Sequence, residues 1–154
     1  MKRIIIDLDV VTVAFWDKSA NGEIARNFIK KLSGKDHYII TPTLLIHLVR
    51  MWKHDKLRMQ IEDFYLTRSN ELMESLQIVE GILSSGVDFE EIFSKLLKIG
   101  VKDEDITLVL AGSLTSSLLI TFNRIHLKNK EEEINGILSK YGLKTIKVIS
   151  PESL

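Results

Sequence analysis

Two acidic residues, one histidine and one asparagine stand where predicted strands end or predicted helices begin. They are Asp7, His47, Asp105 and Asn123. Carboxylate, imidazole and amide groups in one cleft are suited to acid–base chemistry and to reactions assisted by a divalent cation. Because these residues are far apart along the chain, any joint action depends on the elements that carry them.

The apolar periodicity predicts strands that alternate with helices. Short apolar runs predict four strands, at residues 3–7, 38–40, 118–121 and 146–149. Helical spacing and capping residues predict helices at residues 24–32, 41–52, 69–86, 88–100, 103–114 and 131–140. Thr41, Ser69 and Asp88 are the expected N-caps, and residues 55–100 contain no predicted strand.

This alternation predicts a three-layer α/β/α fold with a mainly parallel sheet of four or five strands. Double winding gives the four predicted strands the order 2-1-3-4, so the first and third strands meet at the switch point, where such sheets bind ligands. Asp7 ends the first of those strands and Asn123 follows the other, and the helices that carry His47 and Asp105 begin at the same edge. The sequence therefore predicts that all four side chains line one cleft.

The same segments resemble a known family, the PIN domain of magnesium- or manganese-dependent ribonucleases, which includes many prokaryotic toxin components. Ile4-Ile5-Ile6-Asp7-Leu8-Asp9-Val10 is similar to the family's opening strand. Asp105 with its helix, followed by Leu119-Ile120-Thr121-Phe122-Asn123, resembles the third acid and the strand ending in Thr-x-Asp or Thr-x-Asn. In Thr41-Pro42-Thr43-Leu44-Leu45-Ile46-His47-Leu48, His47 stands where the family has Glu.

The resemblance covers essentially the full chain and implies one PIN-like domain over residues 1–154 that acts as an endoribonuclease. The implied catalytic residues are Asp7, His47, Asp105 and Asn123, and the implied ligands of Mg²⁺ or Mn²⁺ are Asp7, Asp9 and Asp105. Two family acids are replaced, which predicts weaker metal binding, and the imidazole favours Mn²⁺. RNA is the implied substrate.

Composition limits how the chain could contact RNA. Twenty-one Lys and Arg residues offset twenty-one Asp and Glu residues, so any nucleic-acid contact must come from a local patch. The expected RNA-binding residues beside the cleft are Arg50, Lys53, Thr121 and Arg124, with further cations at Lys56, Arg58, Lys128 and Lys130. Trp16, Trp52 and the apolar stripe of residues 72–83 are interpreted as core or as a dimer face. A homodimer and an antitoxin-type protein are the other expected partners.

Length and composition exclude several classes of protein. A chain of 154 residues can build a core without staples, and the absence of cysteine removes disulfides, thiolate nucleophiles and Cys-type metal sites. The apolar run before Asp7 is too short for a signal peptide, and no apolar run is long enough to span a membrane. The expected location is therefore cytoplasmic.

Two alternatives remain open at the level of sequence. Asp7-Leu8-Asp9 followed by Thr12 resembles the opening motif of haloacid-dehalogenase-like phosphatases, although Val10 stands where that family has Gly. The second alternative is a PIN-like domain that has lost catalysis and binds RNA or a protein. Each site residue also has a structural interpretation, because Asp105 could cap a helix and Asn123 could serve a turn.

Overall fold

The chain is built on one parallel β-sheet of five strands. The computed structural model describes all 154 residues, Met1–Leu154. The strands are β1 (Lys2–Ile6), β2 (His37–Pro42), β3 (Glu71–Met73), β4 (Leu118–Ile120) and β5 (Lys147–Ile149). Their order across the sheet is β3-β2-β1-β4-β5, and every neighbouring pair is parallel.

Eight α-helices cover the two faces of the sheet. They are α1 (Leu8–Trp16), α2 (Ala20–Lys31), α3 (Thr43–Arg50), α4 (Asp55–Arg68), α5 (Ser75–Ser84), α6 (Phe89–Lys98), α7 (Asp103–Thr115) and α8 (Glu131–Lys140). The chain moves outward from β1 to β3 through α1–α4, then returns to β4 and β5 through α5–α8. Right-handed crossovers therefore place the first four helices on one face and the last four on the other. Two short 3₁₀ helices, Lys128–Lys130 and Pro151–Ser153, complete the chain.

The centre of the sheet explains why β1 reads as a continuous apolar run. Ile4, Ile5 and Ile6 are all fully buried, because helices pack against both faces of this strand. The three-layer α/β/α fold class is thereby confirmed, and the four predicted strands lie in the predicted order as β2-β1-β4-β5.

Strand β3 and helices α1 and α4 are present in the structure but were not predicted from the sequence. Strand β3 lies inside the segment predicted to be helical from Ser69, so that prediction is wrong at its start. Leu72 precedes Leu76 at helical spacing, yet it pairs with Thr41 in the β2–β3 ladder. Helix α5 begins only at Ser75, after Glu74, whose N–H donates to Gln77 Oε1 at 2.7 Å in a capping box.

The predicted N-cap role of Thr41 is also wrong. Thr41 belongs to β2, and its hydroxyl shares a hydrogen bond of 2.6 Å with the Ser69 hydroxyl. Helix α3 begins at Thr43 with no side-chain cap, because the cap position is occupied by Pro42. The Thr41 hydroxyl instead links β2 to the end of α4, immediately before β3.

The apolar stripe of residues 72–83 is divided between the surface and the core. Leu76 is 66% exposed, and Leu72 and Leu83 are exposed as well, whereas Ile78 and Ile82 are buried in the core. The assignment to the core is therefore confirmed for the two isoleucines and wrong for the leucines. It is also wrong for Trp16, which is 56% exposed. Trp52 is partly buried and packs against the core. The dimer-face interpretation stays a prediction.

No helix in the structure combines the length and the apolar character that crossing a bilayer requires.

Tyr65 of α4 supports the end of β1. Strand β1 pairs with β2 as far as Ile4 and Ile39, after which β2 continues against β3. The Tyr65 side chain is fully buried, and its hydroxyl donates to the Ile6 carbonyl oxygen at 2.9 Å. The Tyr65 hydroxyl therefore fixes the backbone immediately before Asp7.

Replacing Tyr65 by Phe should lower the free energy of unfolding by about 1–3 kcal/mol, because a buried carbonyl loses its donor. Urea denaturation measures the loss. The matched control is Tyr141→Phe, since the Tyr141 hydroxyl donates to Glu91 at the surface, and that change should cost about 0.5 kcal/mol or less. An equal loss of unfolding free energy in the two variants would show that the buried hydrogen bond stabilises the protein no more than the exposed one.

Candidate active site at the carboxyl edge of the sheet

Asp7 is fixed by the strand that it follows and by the helix that it begins. Its N–H donates to the Ile120 carbonyl oxygen at 2.9 Å, which extends the pairing of β1 with β4 by one residue. Its Oδ1 accepts the Leu8 N–H at 2.7 Å as the N-cap of α1. Its Oδ2 is left to face the end of β4.

The Thr121 hydroxyl joins the two strand ends. It donates to Asp7 Oδ2 at 2.8 Å and lies 3.3 Å from Asp9 Oδ2. Its oxygen accepts the Asn123 N–H at 2.9 Å. Asp9 is turned toward the same point, because the Phe122 N–H donates to it at 3.2 Å. The buried Thr121 hydroxyl therefore contacts the side chains of Asp7 and Asp9 and the backbone of the loop after β4.

Asp105 enters this group from the first turn of α7. Its side chain is buried, and its Oδ2 accepts the Asn123 Nδ2–H at 3.3 Å. The other end of the Asn123 amide accepts the His126 N–H at 3.0 Å, so the turn after β4 sets its orientation. We call Asp7, Asp9 and Asp105 the carboxylate cluster.

Burial raises the pKa of every member of the carboxylate cluster. For Asp7, hydrogen bonds from Thr121 and Leu8 oppose this rise without cancelling it. The pKa of Asp9 is raised to about 7, first by burial and then by the charge of Asp7. The pKa of Asp105 is also raised to about 7, by burial and then by the charges of Asp7 and Glu104, with Lys102 opposing.

No basic side chain neutralises this charge. The ion pairs of the protein lie elsewhere, and none includes a member of the carboxylate cluster. Below the cluster, burial and then the charges of Asp7 and Asp9 raise the pKa of Tyr65 well above its usual value, so its hydroxyl remains a donor. The edge of the sheet thus holds three carboxyl groups that have no ion-pair partner.

The carboxylate cluster offers oxygen ligands, which are the kind that Mg²⁺ takes. No group of three or more His, Asp or Glu side chains is arranged to hold an ion together. Mg²⁺ does not need such a group, since it commonly takes one or two carboxylates and keeps several waters. Asp7 and Asp105 supply oxygens of the right chemistry without a basic partner, so the residues suit this ion.

His47 is not part of this hydrogen-bonded group. Its side chain is exposed and lines a separate depression with Thr43, Arg50 and Glu74. No hydrogen bond connects His47 to the carboxylate cluster, because α3 turns its buried face, including Ile46, toward the core. The structure thus brings together Asp7, Asp9, Asp105, Thr121 and Asn123, whose catalytic and ligand roles stay predictions.

The expected RNA-binding cations are divided among different surfaces. The Arg50 guanidinium pairs with Glu62 at 2.8 Å, and Lys53 lines a mainly apolar depression with Trp16 and Trp52. Arg124 lies beside Thr121 at the ends of β4 and β5. Of these cations, only Arg124 shares a depression with a residue that contacts the carboxylate cluster.

Sequence reasoning missed the structural role of Tyr65, and it placed Thr121 only among the RNA-binding residues. Tyr65 gave no signal, because the helix that carries it was not predicted. For Thr121 the signal was available, since a hydroxyl residue at the end of a strand beside Asp7 is in position to donate to that carboxylate.

Comparison with known proteins supports the fold. One solved structure with a similar fold is VapBC2 from Rickettsia felis bound to a DNA fragment from their promoter. The matched chain is 13% identical, with a TM-score of 0.63, and the match covers 96% of this chain and 98% of that chain. No protein-family model and no curated protein matches the sequence. At this identity the similarity shows the fold alone.

The raised pKa values make stability depend on pH. The pKa values of Asp9 and Asp105 are about 7 in the folded protein, against the ordinary aspartate value of 3.8. Between these values the folded protein holds protons that the unfolded chain has lost, so this contribution to stability is present at low pH and is lost as pH rises through about 7.

Asp105→Asn should therefore reduce the fall in stability between pH 5 and pH 8.5, values chosen to lie on either side of about 7. Thermal unfolding in EDTA across this range measures the slope. Asp63→Asn, which changes an exposed carboxyl on α4, is the matched control and should keep the slope of the wild type. An equally steep decline in Asp105→Asn would show that Asp105 does not carry the effect.

Proposed function

We propose that this chain is a Mg²⁺- or Mn²⁺-dependent endoribonuclease of the PIN type. The observation that carries the proposal is the convergence of Asp7, Asp9 and Asp105 on Thr121 and Asn123 at the switch point of the sheet. Ligands bind at this point in open α/β sheets. The motif resemblance and the fold shared with VapBC2 support the same function.

The proposal assigns the ion to Asp7 and Asp105. These carboxylates come from different elements and are close enough for the charge of Asp7 to raise the pKa of Asp105. When bound, a divalent ion supplies charge stabilisation at a phosphate oxygen and lowers the pKa of a bound water. A cation would also relieve the repulsion between carboxylates that lack a basic partner.

The remaining polar side chains orient these acids. The Thr121 hydroxyl holds Asp7 Oδ2, and the Asn123 amide holds Asp105 Oδ2, so neither carboxylate is free to rotate. Asp9, with a pKa of about 7, can gain or lose a proton at its carboxylate oxygens near neutral pH. That property is what general acid–base catalysis requires.

His47 has no assigned part in this chemistry. It was expected to favour Mn²⁺ as a nitrogen ligand, but it lies in a separate depression, exposed to solvent. The ligands of the proposed site are therefore all oxygen, which Mg²⁺ and Mn²⁺ both accept. The preference for Mn²⁺ loses its physical basis.

A second candidate is a PIN-like domain that binds RNA or a protein without cutting. The observation that favours it is the lack of a group of three ligands, together with carboxyls that are about half protonated near pH 7. Both candidates place nucleic acid or a partner at the same edge of the sheet. They differ in whether turnover accompanies binding.

A protein partner and a cytoplasmic location belong to the same proposal. One similar solved structure is VapBC2 bound to promoter DNA, which supports a search for an antitoxin-type partner. The exposed Leu76 and Leu83 of α5 offer an apolar surface that such a partner or a second copy would cover. Sedimentation of the purified chain would establish whether it forms a homodimer.

Single-stranded RNA should be cleaved internally when Mg²⁺ or Mn²⁺ is present and left intact in EDTA. Asp7→Asn and Asp105→Asn should each reduce the rate by at least about 100-fold, because each removes a proposed ligand of the ion. The rate should rise with pH through about 7, as Asp9 and Asp105 lose their protons. Gel analysis of end-labelled RNA measures all three effects.

The control is Asp63→Asn, which should cut as the wild type does. Cleavage in EDTA, or an unchanged rate in Asp7→Asn, would indicate a contaminating nuclease and would remove the support for the proposal. Inactivity with metal, accompanied by firm RNA binding, would favour the non-cutting candidate.

A further inference from the structure

A polar depression lies next to the carboxylate cluster, at the ends of β4 and β5. It has a volume of about 280 Å³ and touches Thr121, the residue that donates to Asp7. Two cations, Arg124 and Lys128, and two hydroxyls, Ser150 and Ser153, line it. We call it the β4–β5 pocket.

Local structure brings the two cations to this pocket. The loop after β4 closes on itself, because Lys128 N–H donates to the Asn123 carbonyl at 3.1 Å and Asn129 N–H donates to the Arg124 carbonyl at 2.7 Å. These two hydrogen bonds bring the end of the loop back to its beginning. Arg124 and Lys128 therefore line the same depression although three residues separate them. The loop that carries Asn123 thus also presents positive charge.

The two hydroxyls come from the chain after β5. Ser150 follows the strand directly, and the 3₁₀ helix Pro151–Ser153 turns Ser153 back until its hydroxyl lies 3.1 Å from that of Ser150. One of the two hydroxyls donates to the other, which leaves the second hydroxyl hydrogen free to donate to an anion that the cations attract.

Neither cation is committed to an internal partner. Arg124 is 3.9 Å from Glu152 and its side chain is 74% exposed, while Lys128, whose side chain is 47% exposed, is 3.6 Å from Glu131. Exposed pairs of this length contribute little free energy. The guanidinium and the ammonium therefore keep donors available for a ligand.

From this arrangement we infer that the β4–β5 pocket binds a phosphate group of the RNA backbone, distinct from the phosphate that faces the carboxylate cluster. The inference rests on the proposed function for the identity of the ligand, since it takes RNA as the substrate. Thr121 separates the two sites, so the RNA strand crosses the end of β4 and continues toward β5. Contacts to phosphate position the strand without reading its sequence.

In this arrangement, RNA binding and RNA cleavage depend on different residues at the edge of the sheet. Negative side chains of the carboxylate cluster repel a bare phosphate, whereas the two cations of the β4–β5 pocket attract one. Binding in the absence of metal would therefore depend on the pocket, and turnover would depend on the cluster. The two functions can be measured separately.

The test is the binding of a fluorescein-labelled single-stranded RNA of mixed sequence, followed by anisotropy in EDTA over a series of KCl concentrations. Arg124→Gln and Lys128→Gln should each weaken binding by up to about fivefold at low salt. Each should also reduce the slope of log affinity against log salt by about 0.7, the value for one lost contact to a single strand. Glu152→Gln should tighten binding, because it removes the acid beside Arg124.

Two controls make the result specific. Lys95→Gln changes an exposed lysine on α6, outside the β4–β5 pocket, and should bind RNA as the wild type does. Inorganic phosphate at millimolar concentration should compete with RNA for the wild type and less for Arg124→Gln. Thermal unfolding of each variant checks that these surface changes leave the fold intact.

The inference is overturned if Arg124→Gln and Lys128→Gln match Lys95→Gln both in RNA affinity and in the slope of log affinity against log salt. This holds even when the wild type cleaves RNA with metal. If both variants lose affinity while no preparation cleaves RNA, the pocket stands and the nuclease proposal falls. If the wild type binds no RNA at any salt concentration, the backbone assignment is overturned. Phosphate binding to that protein would then identify a site for the free anion.

Discussion

The hydrogen bond from the Thr121 hydroxyl to Asp7 ties the functional edge of this protein together. It crosses from the end of β4 to the end of β1, where the chain leaves the sheet on both sides and backbone pairing stops. Without it, two buried carboxylates would face each other with no donor between them, and burying a charged group without a partner is costly. The same hydroxyl accepts the Asn123 N–H, so the turn that orients Asp105 depends on it as well.

Ionising the buried carboxyl groups at this edge is energetically unfavourable, and the stability of the rest of the fold compensates for that cost. Burial, together with the charge of Asp7, holds the pKa values of Asp9 and Asp105 at about 7, and Lys102 offsets only part of this rise for Asp105. A protein that only needed stability would gain by replacing these acids, whereas carboxyl groups with strongly raised pKa values are typical of functional sites. The isoleucines of β1, packed on both faces, and the buried Tyr65 hydroxyl provide the rigid base for this arrangement.

Sequence reasoning succeeded where a pattern had one physical meaning and failed where tertiary contacts decided. The apolar run before Asp7 could only be a strand buried on both faces, and winding rules then placed Asn123 beside it. Strand β3 is three residues long, and its Leu72 sits at helical spacing from Leu76, so only pairing with β2 distinguishes strand from helix there. His47 fitted the family motif by position along the chain, but the rotation of α3 leaves its side chain in a separate depression. That rotation is set by packing against α4, a helix that was not predicted.

We propose that Asp7 and Asp105 form a site for a divalent cation. Calorimetric titration of the protein with Mn²⁺ at pH 7, repeated in buffers of different ionisation enthalpy, tests it most directly, because it reports stoichiometry and proton release together. We expect specific binding to the wild type, loss of that binding in Asp7→Asn, and release of protons as the ion displaces them from carboxyls with a pKa of about 7. Binding that survives in Asp7→Asn, or no binding at millimolar Mn²⁺, would contradict it.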